Sequence, residues 1–510
     1  MRPLLSVSLP TLRLCVICFF VPGPETRHSS IQCATLSYQL TSLMKKISIL
    51  GSTGSIGRQT LSVVESLPER FNVTALAAGN NLDGLLPQIL RHHPEVVSVA
   101  TADLADELSR RLGAELHHGQ PRPEIHHGRK GMLAVGTHPN ADIVVSAAVG
   151  VVGLEATYEA VKLGRSVALS NKEVLVAAGE LVMAAAAKSR RELLPVDSEH
   201  NAVHQCLRAS RRNSSPQPAA GEHKAGSADK SYPQEEMFFP GNPISEFAPA
   251  IPPPDPRLLH REPSSTATDS AATQHVPLYP EVRRLVLTAS GGPFRKTPLA
   301  QLAQVTVEQA LAHPNWRMGN RITIDSATMM NKGFEVIEAH WLFDMRPDQI
   351  EVIIHPQSTV HSFVEFVDGA VLAQLAPPDM RMPIQYALTY PDRLASNAVE
   401  LDWTKLRRLD FEKVSTRRFP CLRLAREALV QGGALPCALN AADEVAVAAF
   451  LEHRLPFLGI PEVIESVLAR TSRTGFSSVD DVLSADAEAR GLANEEVARL
   501  CQPGSVAAGR

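Results

Sequence analysis

The chain has 510 residues, more than one hydrophobic core usually organises, which indicates roughly two to four domains. Hydrophobic residues make up 44% and charged residues 20% of the sequence, as in a globular protein. The formal net charge of -4 excludes nucleic-acid binding through bulk positive charge, so any ligand has to be inferred from local sites. The seven cysteines are scattered without a pairing pattern, which favours a reducing compartment, the cytoplasm, over a disulfide framework.

Residues 1–43 contain a weakly apolar run at residues 14–21, shorter than the about 20 apolar residues that a membrane span requires. A secretory signal is one interpretation of this segment. However, Met44-Lys45-Lys46 stands directly before a predicted strand and a glycine-rich turn, as a native amino terminus would. We therefore predict a non-native or disordered extension at residues 1–43, with a targeting peptide as the alternative, and no contact with a membrane.

A glycine-rich segment, residues 51–57, follows a predicted buried strand at residues 45–50 and leads into a predicted helix at residues 58–66. This context suits a dinucleotide, because glycines let backbone N–H groups approach a pyrophosphate at a helix N-terminus. The spacing G-x-x-G-x-x-G also occurs in plain structural turns. The next predicted strand, residues 73–78, ends in Gly79-Asn80-Asn81, without the acidic residue that binds the ribose hydroxyls of NAD. The segment therefore favours NADP.

Further apolar runs predict strands at residues 97–100, 143–146 and 166–169, each separated from the next by a helical stretch. This alternation is the βαβ pattern of a doubly wound parallel sheet. Asn171-Lys172-Glu173 follows the last of these strands, and ligands of such sheets bind at the carboxyl ends of the strands. An ordinary charge pair at a helix start is the alternative interpretation of Lys172 and Glu173.

An apolar run at residues 193–196 leads into Asp197-Ser198-Glu199. If residues 193–199 form a strand, side chains two positions apart point the same way, so the two carboxylates converge. Two like charges that close repel each other unless a cation lies between them, and Mg²⁺ or Mn²⁺ prefers such oxygen ligands. The alternative is a solvated strand end with an acidic turn.

Residues 207–280 differ in character from the rest, with repeated prolines and no sustained hydrophobic period. Such a segment cannot bury enough apolar surface to offset the entropy of ordering it. We predict that it is a disordered or loosely attached Pro-rich insertion.

The second half of the chain contains predicted strands followed by predicted helices. The strands lie at residues 284–289, 350–354, 361–366 and 371–375, the last three in a hairpin-like series with Asp368-Gly369 as a turn. Beyond a linker that starts near residue 391, amphipathic helical stretches lie at residues 421–430, 438–450 and 461–469. They predict a small helical domain at the carboxyl end.

Residues 324–335 predict a helix that has Asp325 or Ser326 at its N-cap. Asn331, Lys332 and Glu335 share one face of it, because they are spaced i, i+3 and i, i+4. An amide, an ammonium and a carboxylate on one face suit a phosphorylated and metal-chelated substrate. The same spacing also occurs in ordinary surface pairs.

Two loops carry ambiguous signals. Ser290-Gly291-Gly292 fits either a phosphate-accepting loop or a plain turn. The loop at residues 313–319 holds His313, Trp316 and Met318, and large apolar side chains in a turn either pack into a core or close over a ligand.

Jointly, these motifs resemble the 1-deoxy-D-xylulose 5-phosphate reductoisomerase family, from Met44 to about residue 500 and interrupted by the Pro-rich insertion. The matching segments are GSTGSIG, LSNKE, PVDSEHNA, SGGPFR, HPNWRMG and DSATMMNKG-F-E, in the family's order. Ser170 departs from the alanine usual in the family, and a hydroxyl there should be tolerated. The resemblance implies an α/β fold with an N-terminal Rossmann-like NADPH domain, a central α+β catalytic domain with a mobile lid, and a C-terminal small helical domain.

The segments implied are the extension at 1–43, the NADPH-binding Rossmann-like domain at 44–196, the catalytic, metal and substrate domain at 197–390 with its insertion at 207–280, a linker at 391–416 and the helical domain at 417–510.

The resemblance also implies roles for individual residues. NADPH would be contacted by Thr53, Gly54, Ser55, Ile56, Gly79, Asn80, Asn81, Asn171, Glu173 and Gly319. The metal ligands would be Asp197, Glu199 and Glu335. The sugar phosphate would be held by Lys172, Ser198, Glu199, Ser290, His313, Ser326, Asn331, Lys332 and Glu335, with His313, Trp316 and Met318 in the lid. The catalytic set would be Asp197, Glu199, Glu335, Lys172 and His313.

The implied reaction is the NADPH- and metal-dependent rearrangement and reduction of 1-deoxy-D-xylulose 5-phosphate to 2-C-methyl-D-erythritol 4-phosphate, in non-mevalonate isoprenoid synthesis. The sequence does not choose among Mg²⁺, Mn²⁺ and Co²⁺. The family is typically homodimeric, and no nucleic-acid partner is expected. Two alternatives stay open: a metal-independent NADP-dependent semialdehyde or alcohol dehydrogenase, which leaves the three carboxylates unexplained, and a non-catalytic NADPH-binding protein whose site the insertion has disrupted.

Overall fold

The structure is a computed structural model that describes residues 44–116, 120–210, 278–313 and 318–501. The predicted extension at residues 1–43, most of the predicted insertion and the predicted lid residue Trp316 lie outside the described residues.

The first half of the chain forms a parallel sheet of seven strands. They are β1 (Lys45–Leu50), β2 (Phe71–Ala77), β3 (Val96–Val99), β4 (Glu124–His127), β5 (Ile143–Ser146), β6 (Ser166–Leu169) and β7 (Leu193–Pro195). Their order is β4-β3-β2-β1-β5-β6-β7. The chain runs outward from β1 in one direction and then from β5 in the other, so the loops after β1 and β5 meet at the switch point where such sheets bind ligands. This confirms the predicted Rossmann-like fold.

Six helices connect the strands of this sheet. They are α1 (Ser55–Ser66), α2 (Leu82–His92), α3 (Ala102–Glu115), α4 (Gly128–Gly136), α5 (Leu154–Lys162) and α6 (Glu173–Ser189). Strands β3 and β5 are buried along their whole length, which explains why they appear in the sequence as continuous apolar runs.

A second sheet of five strands follows. Its strands are β8 (Val282–Ala289), β9 (Ile350–Ile354), β10 (Val360–Phe366), β11 (Val371–Leu375) and β12 (Glu412–Lys413), in the order β11-β10-β8-β9-β12. The β10–β11 pair is the predicted hairpin around Asp368-Gly369. The predicted hairpin-like series is wrong for β9, which pairs in parallel with β8. A parallel neighbour needs a long crossover, and here helices connect β8 to β9.

Nine further helices complete the described chain. They are α7 (Ser198–Ser210), α8 (Val307–Leu311), α9 (Asn320–Thr328), α10 (Met330–Phe343), α11 (Arg381–Thr389), α12 (Pro420–Gln431), α13 (Leu435–Leu451), α14 (Gly459–Arg470) and α15 (Val479–Leu500). Three of the carboxyl-terminal helices were predicted. The fourth, α15, was not, because its buried face includes the charged Asp486 and Glu496 among small apolar residues. Among the described helices, none is long and apolar enough to cross a membrane.

The predicted strand across Asp197-Ser198-Glu199 is wrong. Strand β7 ends at Pro195, and helix α7 begins at Ser198. The carbonyl of Asp197 accepts the first helical hydrogen bond, from the backbone N–H of Asn201 at 2.8 Å. The two acidic residues therefore flank a helix start rather than alternate along a strand.

The predicted N-cap at Asp325 or Ser326 is also wrong. Both residues lie inside α9, whose N-cap is Gly319. The chain then breaks at Met329, which has a φ of +64°, and α10 begins at the next residue. The acidic and hydroxyl side chains that suggested a helix start instead lie in the last turns of α9.

Helix α1 packs closely against the loop after β1. It begins at Ser55, three residues earlier than predicted, so Gly57 lies within its first turn. A Cβ atom at Gly57 would lie 2.3 Å from the carbonyl oxygen of Gly51 and 2.5 Å from the Cα of Ser52. Only glycine therefore fits at this position without displacement of the backbone.

We expect Gly57→Ala to lower the free energy of unfolding by about 1–3 kcal/mol, because the added methyl group overpacks a backbone contact. The matched control is Gly491→Ala in α15, where no atom lies within 4 Å of an added Cβ. The control should raise stability by about 0.5–1 kcal/mol through helix propensity. Urea-induced unfolding of both variants checks this, and a change of the same sign in both would contradict it.

Candidate functional site

A cavity with a volume of about 910 Å³ lies within the described chain. It opens at the carboxyl edge of the seven-stranded sheet, where residues after β1, β5, β6 and β7 meet residues of α9, α10 and the second sheet. The two sheets and the helices between them therefore form one site.

The nucleotide-type loop forms one end of this cavity. Gly51 has a φ of +89°, and a Cβ there would lie 2.5 Å from the carbonyl oxygen of Ala147, so the loops after β1 and β5 touch. Gly54, Ser55 and Ile56 line the cavity at the start of α1. The free N–H groups and the positive dipole of that helix end suit a phosphate group.

Four residues of the predicted cofactor set do not line the cavity, namely Thr53, Gly79, Asn80 and Asn81. The last three follow β2, the neighbour of β1 in the sheet. The side-chain oxygen of Asn81 accepts a hydrogen bond from the N–H of Gly84 at 2.8 Å and caps α2. These residues lie along the same carboxyl edge, beyond the cavity itself.

The other predicted cofactor residues line the cavity on its far side. Asn171 is buried; its Nδ2 donates to the carbonyl of Gly150 at 2.8 Å, and its Oδ1 has no hydrogen-bond partner in the described chain. Glu173 accepts at Oε1 from Arg321 Nη1 at 3.1 Å. Gly319, the N-cap of α9, lies on the same wall.

Three carboxylates converge in the middle of the cavity wall. Each of Asp197, Glu199 and Glu335 offers an oxygen atom within 4.8 Å of the others. Asp197 and Glu199 flank the start of α7, and the fully buried Glu335 lies on α10. The sequence placed the first two residues together by an incorrect strand geometry, yet the folded chain brings all three together.

Two lysines lie among these carboxylates. Lys172 Nζ contacts Asp197 Oδ2 and lies 3.3 Å from Glu335 Oε1. Lys332 Nζ donates to Glu199 Oε1 at 2.8 Å and also contacts Glu335 Oε2. Both ammonium groups are buried, so each compensates buried negative charge at short range.

The carboxyl groups titrate very differently. Burial and the neighbouring Glu199 raise the pKa of Glu335 to about 7, although Lys332 lowers it. Burial also raises the pKa of Glu199, but Lys332 and His361 outweigh burial and bring it down to about 2. Three carboxylates face only two ammonium groups here, which leaves an excess of negative charge. Clustered carboxylate oxygens with that excess fit a hard divalent cation, which the two lysines only partly replace.

Two buried residues that sequence reasoning missed lie behind this cluster. His200 Nε2 donates to the carbonyl of Glu335 at 2.8 Å, so its other ring nitrogen, Nδ1, faces Glu338 Oε2 at 3.2 Å as an acceptor. Burial lowers the pKa of His200 to about 4, and burial raises the pKa of Glu338 well above its usual range. The sequence signal for His200 was its position next to Glu199, and the signal for Glu338 was its i, i+3 spacing from Glu335.

A set of hydroxyl, amide and ammonium donors forms another part of the wall, comprising Ser198, Ser290, His313, Ser326, Asn331 and Lys332. His313 Nε2 lies 3.0 Å from the Ser290 hydroxyl, and burial lowers the pKa of the imidazole. A Cβ at Gly292, which has a φ of +63°, would lie 2.6 Å from the carbonyl oxygen of Ser326. The loop after β8 thus packs directly on the end of α9, and the donors can surround an anion.

The lid prediction is only partly within the described chain. His313 and Met318, which flank the segment that holds Trp316, both line the cavity. His361 on β10, which sequence reasoning missed, also lines the cavity. It is nearly fully buried, and burial lowers its pKa although Glu199 raises it. Its sequence signal was a second histidine six positions after His355.

We expect a divalent cation such as Mn²⁺ to raise the melting temperature of the protein, because an ion that binds only the folded state stabilises it by about 2.7 kcal/mol at 100 times its Kd. Glu335→Gln should remove most of that shift. The matched control is Glu351→Gln at a half-exposed ion pair on β9, which should keep it. Thermal scans with and without Mn²⁺ check this, and an intact shift in Glu335→Gln would exclude Glu335 as a ligand.

Models of known protein families match most of the chain. Residues 47–179 match the model described as 1-deoxy-D-xylulose 5-phosphate reductoisomerase. Residues 267–343 match the model of the C-terminal domain of the same enzyme, and residues 375–492 match a model described as DXP reductoisomerase C-terminal domain.

The sequences of individual relatives match this chain over nearly their full length. The 1-deoxy-D-xylulose 5-phosphate reductoisomerase of Solibacter usitatus is 45% identical over 455 residues, which cover 89% of this chain and 97% of that protein. The enzyme of Methylococcus capsulatus is 44% identical over 454 residues, covering 89% and 99%.

Solved structures are also similar. The reductoisomerase of Zymomonas mobilis in complex with NADPH has a TM-score of 0.70 and 36% identity, covering 89% of this chain and 99% of that chain. A DOX-P reductoisomerase in complex with NADPH, fosmidomycin and magnesium has a TM-score of 0.73 and 35% identity, covering 90% and 100%.

Proposed function

The chain belongs to the 1-deoxy-D-xylulose 5-phosphate reductoisomerase family, and we propose that the cavity described above is where it carries out that family's reaction. The protein is an NADP-dependent oxidoreductase that converts 1-deoxy-D-xylulose 5-phosphate to 2-C-methyl-D-erythritol 4-phosphate with NADPH and a divalent metal ion. The single observation that supports this location is the convergence of Asp197, Glu199 and Glu335 in the same cavity as the nucleotide-type start of α1.

We assign the metal to these three carboxylates. A divalent cation held there supplies Lewis-acid stabilisation to the oxygens of the substrate. Lys172 contacts both Asp197 and Glu335, so its ammonium group holds the two carboxylates close to each other. His200 fixes the backbone of Glu335 from behind. A metal-independent dehydrogenase, the alternative enzyme, has no use for this arrangement.

We assign the phosphate of the substrate to the donors around Ser290, Ser326, Asn331 and Lys332. Hydrogen bonds to a part of the substrate that does not react supply binding energy that can orient the reacting carbons. His313 lies beside Ser290 and next to the segment of the predicted lid, so closure of that segment would exclude water from the cavity.

We assign the pyrophosphate of NADPH to Gly54, Ser55 and Ile56, and the remainder of the cofactor to Asn171, Glu173 and Gly319 along the cavity. Thr53, Gly79, Asn80 and Asn81 are assigned to the cofactor end that extends over the edge of the sheet. The division into a cofactor domain at 44–196, a catalytic domain at 197–390, a linker at 391–416 and a helical domain at 417–510 remains our proposal.

Glu199→Gln is expected to reduce metal-dependent turnover by at least about 100-fold, since loss of a ligand should exceed the 10–100-fold cost of losing an outer-shell partner. NADPH affinity should stay within about threefold, because Glu199 is remote from the nucleotide loop. NADPH oxidation with 1-deoxy-D-xylulose 5-phosphate, with and without EDTA, measures the first quantity, and NADPH fluorescence titration the second. Glu351→Gln is the control. Turnover that survives both EDTA and Glu199→Gln would refute the assignment.

We also propose that the protein is a cytoplasmic homodimer. The four cysteines within the described chain, Cys206, Cys421, Cys437 and Cys501, are free, as in a reducing compartment. Strand β11 is the outer strand of its sheet, and the exposed fractions of Val371 and Leu372 are 54% and 37%. An apolar edge strand of this kind favours pairing with a second copy.

Light scattering should give twice the chain mass of 55.2 kDa for the unaltered protein. Val371→Lys should lower the measured mass toward that of one chain at micromolar concentration, because a lysine on an edge strand opposes pairing. Val430→Lys, at a valine that is 71% exposed near the end of α12, is the matched control and should remain dimeric. A monomeric unaltered protein, or an unchanged mass for Val371→Lys, would contradict this interface.

A further inference from the structure

A single guanidinium group joins the cofactor wall of the cavity to the carboxyl-terminal helices. Arg321 lies in the first turn of α9, and its side chain is 19% exposed. Its Nη1 donates to Glu173 Oε1 at 3.1 Å and to Glu444 Oε1 at 2.8 Å, and its Nη2 donates to Asn440 Oδ1 at 3.0 Å. Glu173 begins α6, whereas Asn440 and Glu444 lie on α13. Arg321 therefore connects three helices.

Glu444 supports the cofactor wall at a second point. Its Oε1 would lie 2.8 Å from a Cβ at Gly150, so the carboxylate packs directly on the loop after β5. The carbonyl of Gly150 accepts the hydrogen bond from Asn171. The other oxygen of Glu444, Oε2, accepts from Arg490 Nη2 on α15 at 2.6 Å. One carboxylate of α13 thus lies behind both Glu173 and Asn171.

We propose that Arg321 and Glu444 are positioning residues for NADPH, through which the carboxyl-terminal helices set the affinity of the cofactor site. The proposal rests on the assignment of Glu173 and Asn171 to the cofactor in the proposed function. Within the described chain, the one hydrogen bond to the Glu173 carboxylate comes from Arg321 and uses Oε1. Its Oε2 can therefore accept from a hydroxyl group of the cofactor.

The chemistry of the site favours arginine at this position. Four carboxylates influence the guanidinium: Glu173, Asp325, Glu444 and Asp443. Burial lowers the pKa of Arg321, but these carboxylates raise it above its usual range, so the group stays charged. A planar guanidinium can serve several acceptors in fixed directions at once, whereas the ammonium of lysine is a single point charge.

Arg321→Lys tests the proposal with little risk to folding, because it keeps the buried positive charge while it removes the fixed geometry. We expect the Kd for NADPH to rise about tenfold in fluorescence titration, and kcat at saturating NADPH and KM for the sugar phosphate to stay within about threefold. The matched control is Arg470→Lys at the exposed pair with Glu495 on α14 and α15, which should leave all three quantities unchanged.

Two results would overturn the proposal. One is an NADPH Kd for Arg321→Lys within twofold of the unaltered protein. The other is an equal loss in NADPH binding, kcat and sugar-phosphate KM, since a general structural defect would change all three.

A double-mutant cycle with Glu173→Gln separates this proposal from the proposed function. If Arg321 acts through Glu173, Arg321→Lys should have little further effect on NADPH Kd in the Glu173→Gln background. Fully additive effects would overturn the positioning role. No effect of Glu173→Gln alone would instead refute the assignment of Glu173 to the cofactor, and with it the basis of the proposal.

Glu444→Gln gives an independent check from the helical side. A glutamine can offer its carbonyl oxygen to Arg321 or to Arg490, but its amide nitrogen then faces the other arginine, so one contact is lost. We expect a weaker NADPH affinity, by about three- to tenfold, with an unchanged melting temperature shift on addition of Mn²⁺. Unaltered NADPH affinity in a folded Glu444→Gln protein would mean that the carboxyl-terminal helices do not set the cofactor site.

Discussion

The site depends on the balance of buried charge around Glu335. This carboxylate is fully buried beside Asp197 and Glu199, and an unpaired buried charge costs several kcal/mol. The protein brings two cations to it, Lys172 from the start of α6 and Lys332 from the preceding turn of α10. These two ammonium groups do not balance the three carboxylates, and burial together with Glu199 raises the pKa of Glu335 to about 7. A further cation is therefore favoured at the point where the chemistry needs one.

This balance of charge requires α10 to pack against α6 and α12 more closely than most side chains allow. A Cβ at Gly179 on α6 would lie 2.2 Å from Trp341 Nε1 on α10. Helix α10 also presents Gly333, where a Cβ would lie 2.5 Å from the Cβ of Ala425 on α12. Glycines thus let α10 pack closely between α6 and α12, which places its lysine and carboxylate within reach of the other charged groups. The carboxyl-terminal helices are consequently part of what holds the site together.

Local pattern was sufficient for the buried strands and insufficient for the helix starts. Residues 143–146 and 166–169 were predicted with the bounds observed, because a parallel strand buried on both faces leaves a largely apolar run. Residues 350–354 were also predicted with the bounds observed, although Glu351 within them is exposed. Asp197 and Asp325 both resemble cap or turn residues in sequence. Asp197 lies just before a helix whose first two residues were predicted to continue the preceding strand, and Asp325 lies inside a helix that begins at Asn320. In both cases tertiary packing determined where the helix begins, because local helix propensity predicts helix positions only weakly.

The sequence motifs grouped the residues that face the cavity, but they did not reveal the charged residues behind them. Arg321 and Glu444 are 123 positions apart, and each alone suggests a solvated helix surface. They are largely buried because each supplies the charge that the other needs. Helix α15 illustrates the same limit, because its buried Asp486 pairs with Arg490, which in turn binds Glu444. The same charged residues interrupt the apolar period of α15 and connect the helix to the cofactor wall. They therefore explain both why the hydrophobic pattern did not predict α15 and how the helix supports the enzyme.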